Sequence, residues 1–149
     1  MSFGEALRYL ADRAGIELKP LARKSDSEPE APDERQAIAD ANAKALGFFC
    51  AILFHAEHGA AARQYVQQRG INDEMVEAFK LGYAADKWDG LAQMIAHQHW
   101  SRKAFSAAGL IGARSQGDGD YDRLRHRLIF PIFDALGRPI AFGGRILPD

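Results

Sequence analysis

Helical spacing dominates the first two thirds of the chain. Ser2 and Glu5 stand at capping-box spacing, and Phe3, Leu7, Leu10 and Ala14 recur at helical intervals up to Gly15, which predicts a short helix over about 3–14. Residues 20–34 break the period. Three prolines sit there among dense charge and few large apolar side chains, too little to offset the entropy of ordering, so the segment reads as a linker. From about 34 to 57 a longer, alanine-rich helix is predicted, with Ile38, Ala41, Ala45, Phe48, Phe49, Ile52 and Leu53 on one broad face and Gly59 as its stop. Four short helices follow: Ala60 to Gln68, Asp73 to Lys80 behind an Asn72 cap, Asp89 to His97, and a last one from the capping Ser101 to Ala107.

At Gly112–Asp120 turn residues take over, and beyond them the pattern changes to β-branched and aromatic runs. His126–Phe133 and Arg138–Ile146 flank the short, glycine-containing connection Asp134–Gly137, which suits an antiparallel hairpin. Pro131 has no amide to donate, so its strand is expected to be an edge or bulged at that point. The fold class is therefore α+β, helical to about residue 110 and then a small antiparallel sheet with a C-terminal hairpin. The chain divides into a helical segment 1–19, a linker 20–34 and a domain 35–149.

Composition narrows the function classes. With 149 residues and 47% hydrophobic content, the chain can bury one core. A single cysteine, Cys50, excludes an intrachain disulfide and a multi-thiolate zinc site, and points to a reducing, cytoplasmic setting. No signal-peptide layout opens the chain, and no apolar run approaches the roughly 18–20 residues of a membrane span, so no membrane partner is expected. The net charge is only -1, yet Tyr121–Arg145 holds five arginines against two aspartates, leaving a surplus of three positive charges in one segment. No serine or cysteine stands in a nucleophile elbow, and no carboxylate cluster suits two-metal chemistry, so no catalytic residue is assigned. Asp118, Asp120 and Asp122 alternate like the start of a calcium loop, but Arg123 and Ile129 occupy the positions that need Gly and Glu. His55 with His58, and His97 with His99, read as helix-end residues rather than ligands, leaving no metal site.

If residues 123–127 are extended, Arg123, Arg125 and Arg127 share one face at about 6–7 Å intervals. That matches the roughly 6 Å between phosphates of an extended single strand, and guanidinium suits bidentate phosphate contact. A solvated strand edge, protected from aggregation by its charges, explains the same residues. Gly143 and Gly144, just before Arg145, either let a ligand approach the backbone or mark a bulge.

The block Tyr121–Ile132 followed by Gly137–Arg145 resembles the core signature of bacterial DNA primases. Ala62–Gly70, Phe79–Ala84, Trp88–Asp89 and Ala108–Ile111 fall in the order and approximate spacing of that family, and Phe3–Leu18 resembles the segment after its zinc-binding domain. The resemblance implies a fragment, the N-terminal subdomain of the RNA-polymerase core. It also implies a basic wall for single-stranded DNA template and RNA–DNA hybrid, with Arg69 and Arg145 at template- or nucleotide-binding positions and Arg123, Arg125 and Arg127 on a supporting ridge. Leu124 stands where the family usually has Phe. Zn2+ in a missing N-terminal domain, Mg2+ on missing Toprim carboxylates and contacts to a replicative helicase would lie outside this chain, which alone would synthesise no primer. Two alternatives remain: a core fragment of a phage or plasmid primase-helicase, and a non-catalytic module whose arginines bind an acidic protein.

Overall fold

The computed structural model describes residues 32–148. The helix expected over 3–14 and the linker up to residue 31 lie outside the described residues. The last three residues of the expected linker are helical, because α1 spans Pro32–Phe54. Proline at a first helical position needs no amide partner, and Asp33 and Glu34 in the first turn suit the helix dipole, so charge that read as a linker serves as a helix start. The helix ends at Phe54 rather than about 57. There the Arg63 guanidinium donates to the carbonyls of Leu53 (2.6 Å), His55 (2.7 Å) and Ala56 (3.0 Å), capping the last turn.

The short helices are α2 (Ala60–Gln68), α3 (Asp73–Ala78), α4 (Gly90–His97) and α5 (Arg102–Ala107), and the strands are β1 (Gly82–Ala84), β2 (Ile111–Ala113), β3 (Asp120–Asp122), β4 (Arg127–Phe133) and β5 (Pro139–Ile146). Two of the expected caps are in place. Asn72 Oδ1 accepts from the Met75 amide at 2.9 Å and Ser101 Oγ from the Ala104 amide at 3.3 Å, each satisfying an amide with no helical partner. The chain is α+β as the sequence indicates, with a three-stranded antiparallel sheet in the order β1-β4-β5 and a separate β2-β3 pair.

Strand β4 organises the core. Leu128 (1% exposed) joins Leu53, Tyr65, Val66, Val76, Leu81, Tyr83 and Leu147, whereas its neighbour Ile129 (0%) joins Ala41, Ala45, Phe49, Leu91, Phe105 and Ile111. Successive side chains of a strand point to opposite faces, so one central strand fills two separate apolar clusters. Each fully buried side chain of this size contributes roughly 1.5–3 kcal/mol. β1 pairs with β4 only over Arg127–Ile129, so the strand is central there and an edge from Phe130 onward. Pro131 falls on that edge stretch, and the register shifts just after it, between Ile132 and Phe133.

By length and composition α1 is long and apolar enough to cross a bilayer, a test that the buried core helix of a globular domain also passes. Its large apolar side chains Leu46, Phe49 and Leu53 are buried, and the helix packs on β1 and β5. The approach to β1 is close: a Cβ on Gly82 would lie 2.6 Å from Phe49 Cβ. Gly82→Ala should therefore lower the unfolding free energy by about 1–3 kcal/mol, the cost of forcing atoms into a packed interior. Urea denaturation checks this, and an unchanged midpoint would show that the contact is slack.

Candidate nucleic-acid interface

Two of the expected arginines converge through an aromatic residue. Arg69 is the C-cap of α2, its amide donating to the carbonyls of Tyr65 and Val66 (both 3.1 Å), and Gly70 turns the chain away with φ +73°. Arg145 pairs with Leu128 in the β4–β5 register, so its side chain rises from the face that α2 covers. There its Nε donates to the Tyr65 hydroxyl at 2.8 Å, while the Arg69 guanidinium lies 5.1 Å from the centre of the Tyr65 ring. Burial raises the Tyr65 phenol, but the hydrogen bond from Arg145 and the positive charges of Arg145 and Arg69 outweigh it and hold the phenol below its ordinary range. Tyr65 thus fixes two cations side by side at a surface where both remain exposed.

The row of Arg123, Arg125 and Arg127 does not form. Residues 123–126 bend instead of extending, and His126 takes φ +48°, so the period of two fails. The bend is pinned: the Arg123 amide donates to the Leu110 carbonyl (3.0 Å), the His126 amide to Ala85 (3.3 Å), and the Leu147 amide to the His126 carbonyl (3.2 Å). Arg123 consequently stands exposed by itself. Arg125 turns onto the exposed Trp88, its guanidinium 4.3 Å from that ring's centre and 5.7 Å from the Tyr121 ring, and it also donates to the Asp122 carbonyl. Arg127 pairs with Ile146, so it lies on the opposite face of the hairpin from Arg145. Its aliphatic stem crosses Gly144, where a Cβ would meet Arg127 Cδ at 2.9 Å, and its Nη1 donates to the Gly144 carbonyl at 3.4 Å. The missing side chain at 144 thus admits Arg127, whereas a Cβ on Gly143 would meet nothing closer than 3.8 Å.

Charge pairing separates these arginines from Arg102, Arg114 and Arg138, and Arg63, which also lacks a carboxylate, is spent on the carbonyls that end α1. Arg102 is bound by Asp120, Arg114 by Asp89 and Arg138 by Asp134, each within 2.7 Å. Among the described residues, Arg69, Arg123, Arg125, Arg127 and Arg145 have no carboxylate within 4.0 Å. Their positive charge is therefore uncompensated at close range, which favours an external anion. Trp88 (55% exposed), Tyr65 and Tyr121 are the parts that sequence reasoning passed over. Trp88 preceding a helix start was a usable signal, whereas Tyr65 is indistinguishable by spacing from a core residue of α2. Asp122 also emerges as a buried carboxylate that accepts from the amides of Leu91 (2.7 Å) and Ala92 (2.9 Å) at the start of α4. Among the described residues no three His, Cys, Asp or Glu side chains converge on a point that could hold a metal ion. His55 instead serves its own turn, stacking on His58 at 4.5 Å and accepting from the amides of Glu57 and His58 at 3.3 Å.

An α+β domain that sets arginines without carboxylate partners against the rings of Tyr65, Trp88 and Tyr121 has the surface chemistry of an anion-binding protein. Comparison with known proteins identifies the lineage. Residues 48–149 match the model of the DNA primase catalytic core, N-terminal domain, and the chain belongs to that family. It is 40% identical over 149 residues to the DNA primase of Deinococcus radiodurans, covering 100% of this chain and 24% of that protein. Against the DNA primase of Myxococcus xanthus it is 38% identical, covering 98% of this chain and 23% of that protein. The chain thus spans about a quarter of the length of the curated relatives it matches. In three dimensions it is similar to a DnaG primase catalytic domain bound to single-stranded DNA, with a TM-score of 0.73 and 32% identity over 80% of this chain and 38% of that one. It is also similar to the RNA polymerase domain of Mycobacterium tuberculosis primase in complex with a double-stranded DNA oligomer bearing a 6-nucleotide overhang, with a TM-score of 0.70 and 31% identity over 77% of this chain and 35% of that one.

The Tyr65 geometry has a spectroscopic signature. The Tyr65 phenol should ionise below the ordinary value of about 10, visible as the difference in alkaline phenolate absorbance between the parent chain and Tyr65→Phe. Arg145→Ala should move that titration upward, and an unmoved curve would mean that the hydrogen bond is not held in solution.

Proposed function

We propose that this chain is the template-holding part of a bacterial DNA primase, binding single-stranded DNA and the primer–template hybrid through Arg69, Arg145, Arg125, Arg123 and Arg127. The observation that carries the reading is the absence of a carboxylate partner for these five guanidiniums among the described residues, while Arg102, Arg114 and Arg138 are paired. Family membership and the DNA-bound relatives support the choice of anion. In this reading Tyr65 spaces Arg69 and Arg145 to receive adjacent phosphates, and Trp88 offers a ring face to an unpaired base. Gly143 and Gly144 keep the backbone low beside Arg145, with the space over Gly144 taken by Arg127.

The intact enzyme would join ribonucleotides into short primers at the replication fork, in the cytoplasm and in contact with the replicative helicase. The chemistry it would need from Mg2+, and the fold support it would need from Zn2+, call for ligands that the described residues of this chain do not supply, so no step here runs through either ion. This chain's share of the reaction is to hold the template against thermal motion while chemistry proceeds elsewhere, and alone it synthesises nothing.

Binding of a labelled oligothymidine, followed by fluorescence anisotropy across a salt series, tests the assignment. Log affinity should fall with log salt at about -0.7 per neutralised phosphate, and Arg69→Ala or Arg145→Ala should each flatten the slope by about one contact. Trp88→Ala should weaken binding by about 1–3 kcal/mol and leave the slope intact, because stacking releases no counterion. Affinity indifferent to salt and to both arginine substitutions would overturn the reading.

A further inference from the structure

Asp122 has more contacts than a helix cap requires. It is 6% exposed, one of the two buried polar or charged residues among those described. Its carboxylate bridges two successive amides, Oδ2 accepting from Leu91 at 2.7 Å and Oδ1 from Ala92 at 2.9 Å, which ties β3 to the start of α4. Its own amide donates to the Trp88 carbonyl at 2.8 Å. Its carbonyl accepts from the Arg125 guanidinium, which sits over the Trp88 ring at 4.3 Å from its centre. The carboxylate therefore ties residue 122 to the start of α4, and the main chain it anchors there holds the Trp88 carbonyl and the Arg125 guanidinium.

We infer that Asp122 is the positioning residue for the Trp88–Arg125 pair, setting the ring and the cation in register for a single strand without touching the strand itself. The inference rests on the single-strand-binding reading for its consequence, but the positioning can be measured without DNA. A cap that served α4 alone would lose helix stability when removed and leave Trp88 and Arg125 as they are. A positioning residue transmits its loss to that pair. Asparagine at 122 keeps the size and shape but offers one acceptor oxygen to two donating amides and turns an NH2 group toward the other, so the bridge cannot be kept whole.

The test is a double-mutant cycle on the 149-residue chain with a labelled oligothymidine. Asp122→Asn should weaken binding roughly three- to tenfold in the parent chain, the factor that goes with losing a cap and a cation–aromatic contact. In an Arg125→Ala background the same change should cost less than about twofold, because its target is already gone. Equal losses in both backgrounds would overturn the inference. If Asp122→Asn unfolds, Asp122→Ser runs the same cycle, since its shorter side chain removes the bridge without turning an amide NH2 toward the helix start. A second arm needs no DNA. With Trp100→Phe leaving Trp88 as the sole tryptophan, Asp122→Asn should change Trp88 emission and iodide quenching in the same direction as Arg125→Ala. An unmoved Trp88 signal in the folded variant would overturn the inference even if binding fell. A parent chain that ignores the oligothymidine while Trp88 responds to Asp122→Asn would leave the positioning standing and remove the template-holding reading instead.

Discussion

The structure depends on burial of β4 on both faces. A three-stranded sheet has only one central strand, and here that strand is apolar toward α1 through Ile129 and toward α2 and α3 through Leu128. With both faces covered by helices, charged side chains of the hairpin are pushed to its rims. Arg145 emerges where α2 ends, and Arg127 emerges on the other side, over Gly144. The same constraint that makes the core divides the basic residues into separate groups.

This changes the picture of a single basic wall. Arg69 and Arg145 form one group around Tyr65, and Arg125 forms another with Trp88 and Tyr121. Each pairs a cation with an aromatic ring, which suits a ligand that alternates charge with flat apolar surface. A single-stranded nucleic acid has that alternation, with phosphates on one side and unstacked bases on the other. An acidic peptide offers the charge without the regular flat faces, so the arrangement favours the nucleic acid.

The helices and the hairpin were legible because their signals are local. Asn72 and Ser101 cap within three residues, and Gly137, at φ +76°, closes a connection whose Asp134 accepts from the Leu136 and Arg138 amides at 2.9 Å. The strand Gly82–Ala84 was not legible, since three buried residues have no period to read. The geometry of Arg123, Arg125 and Arg127 was misread for a related reason. Their alternation looks like a strand, but the bend at His126 is fixed by partners as remote in sequence as Ala85 and Leu110, which no local pattern reveals. Tyr65 and Asp122 carry site geometry from positions that resemble ordinary core and turn residues. Only the tertiary contacts of Arg145 and of the α4 amides distinguish them.

The central claim is that Arg69, Arg145 and Arg125 receive one single strand across two groups. Side-chain NMR of the arginine Nε–Hε groups and the tryptophan indoles, recorded while oligothymidine is added, addresses it most directly. The Arg69, Arg145 and Arg125 resonances and the Trp88 indole should shift together along one binding curve, while the carboxylate-paired Arg138 and the half-buried Trp100 stay in place. Shifts confined to one group, or spread equally over Arg138 and the other paired arginines, would contradict it.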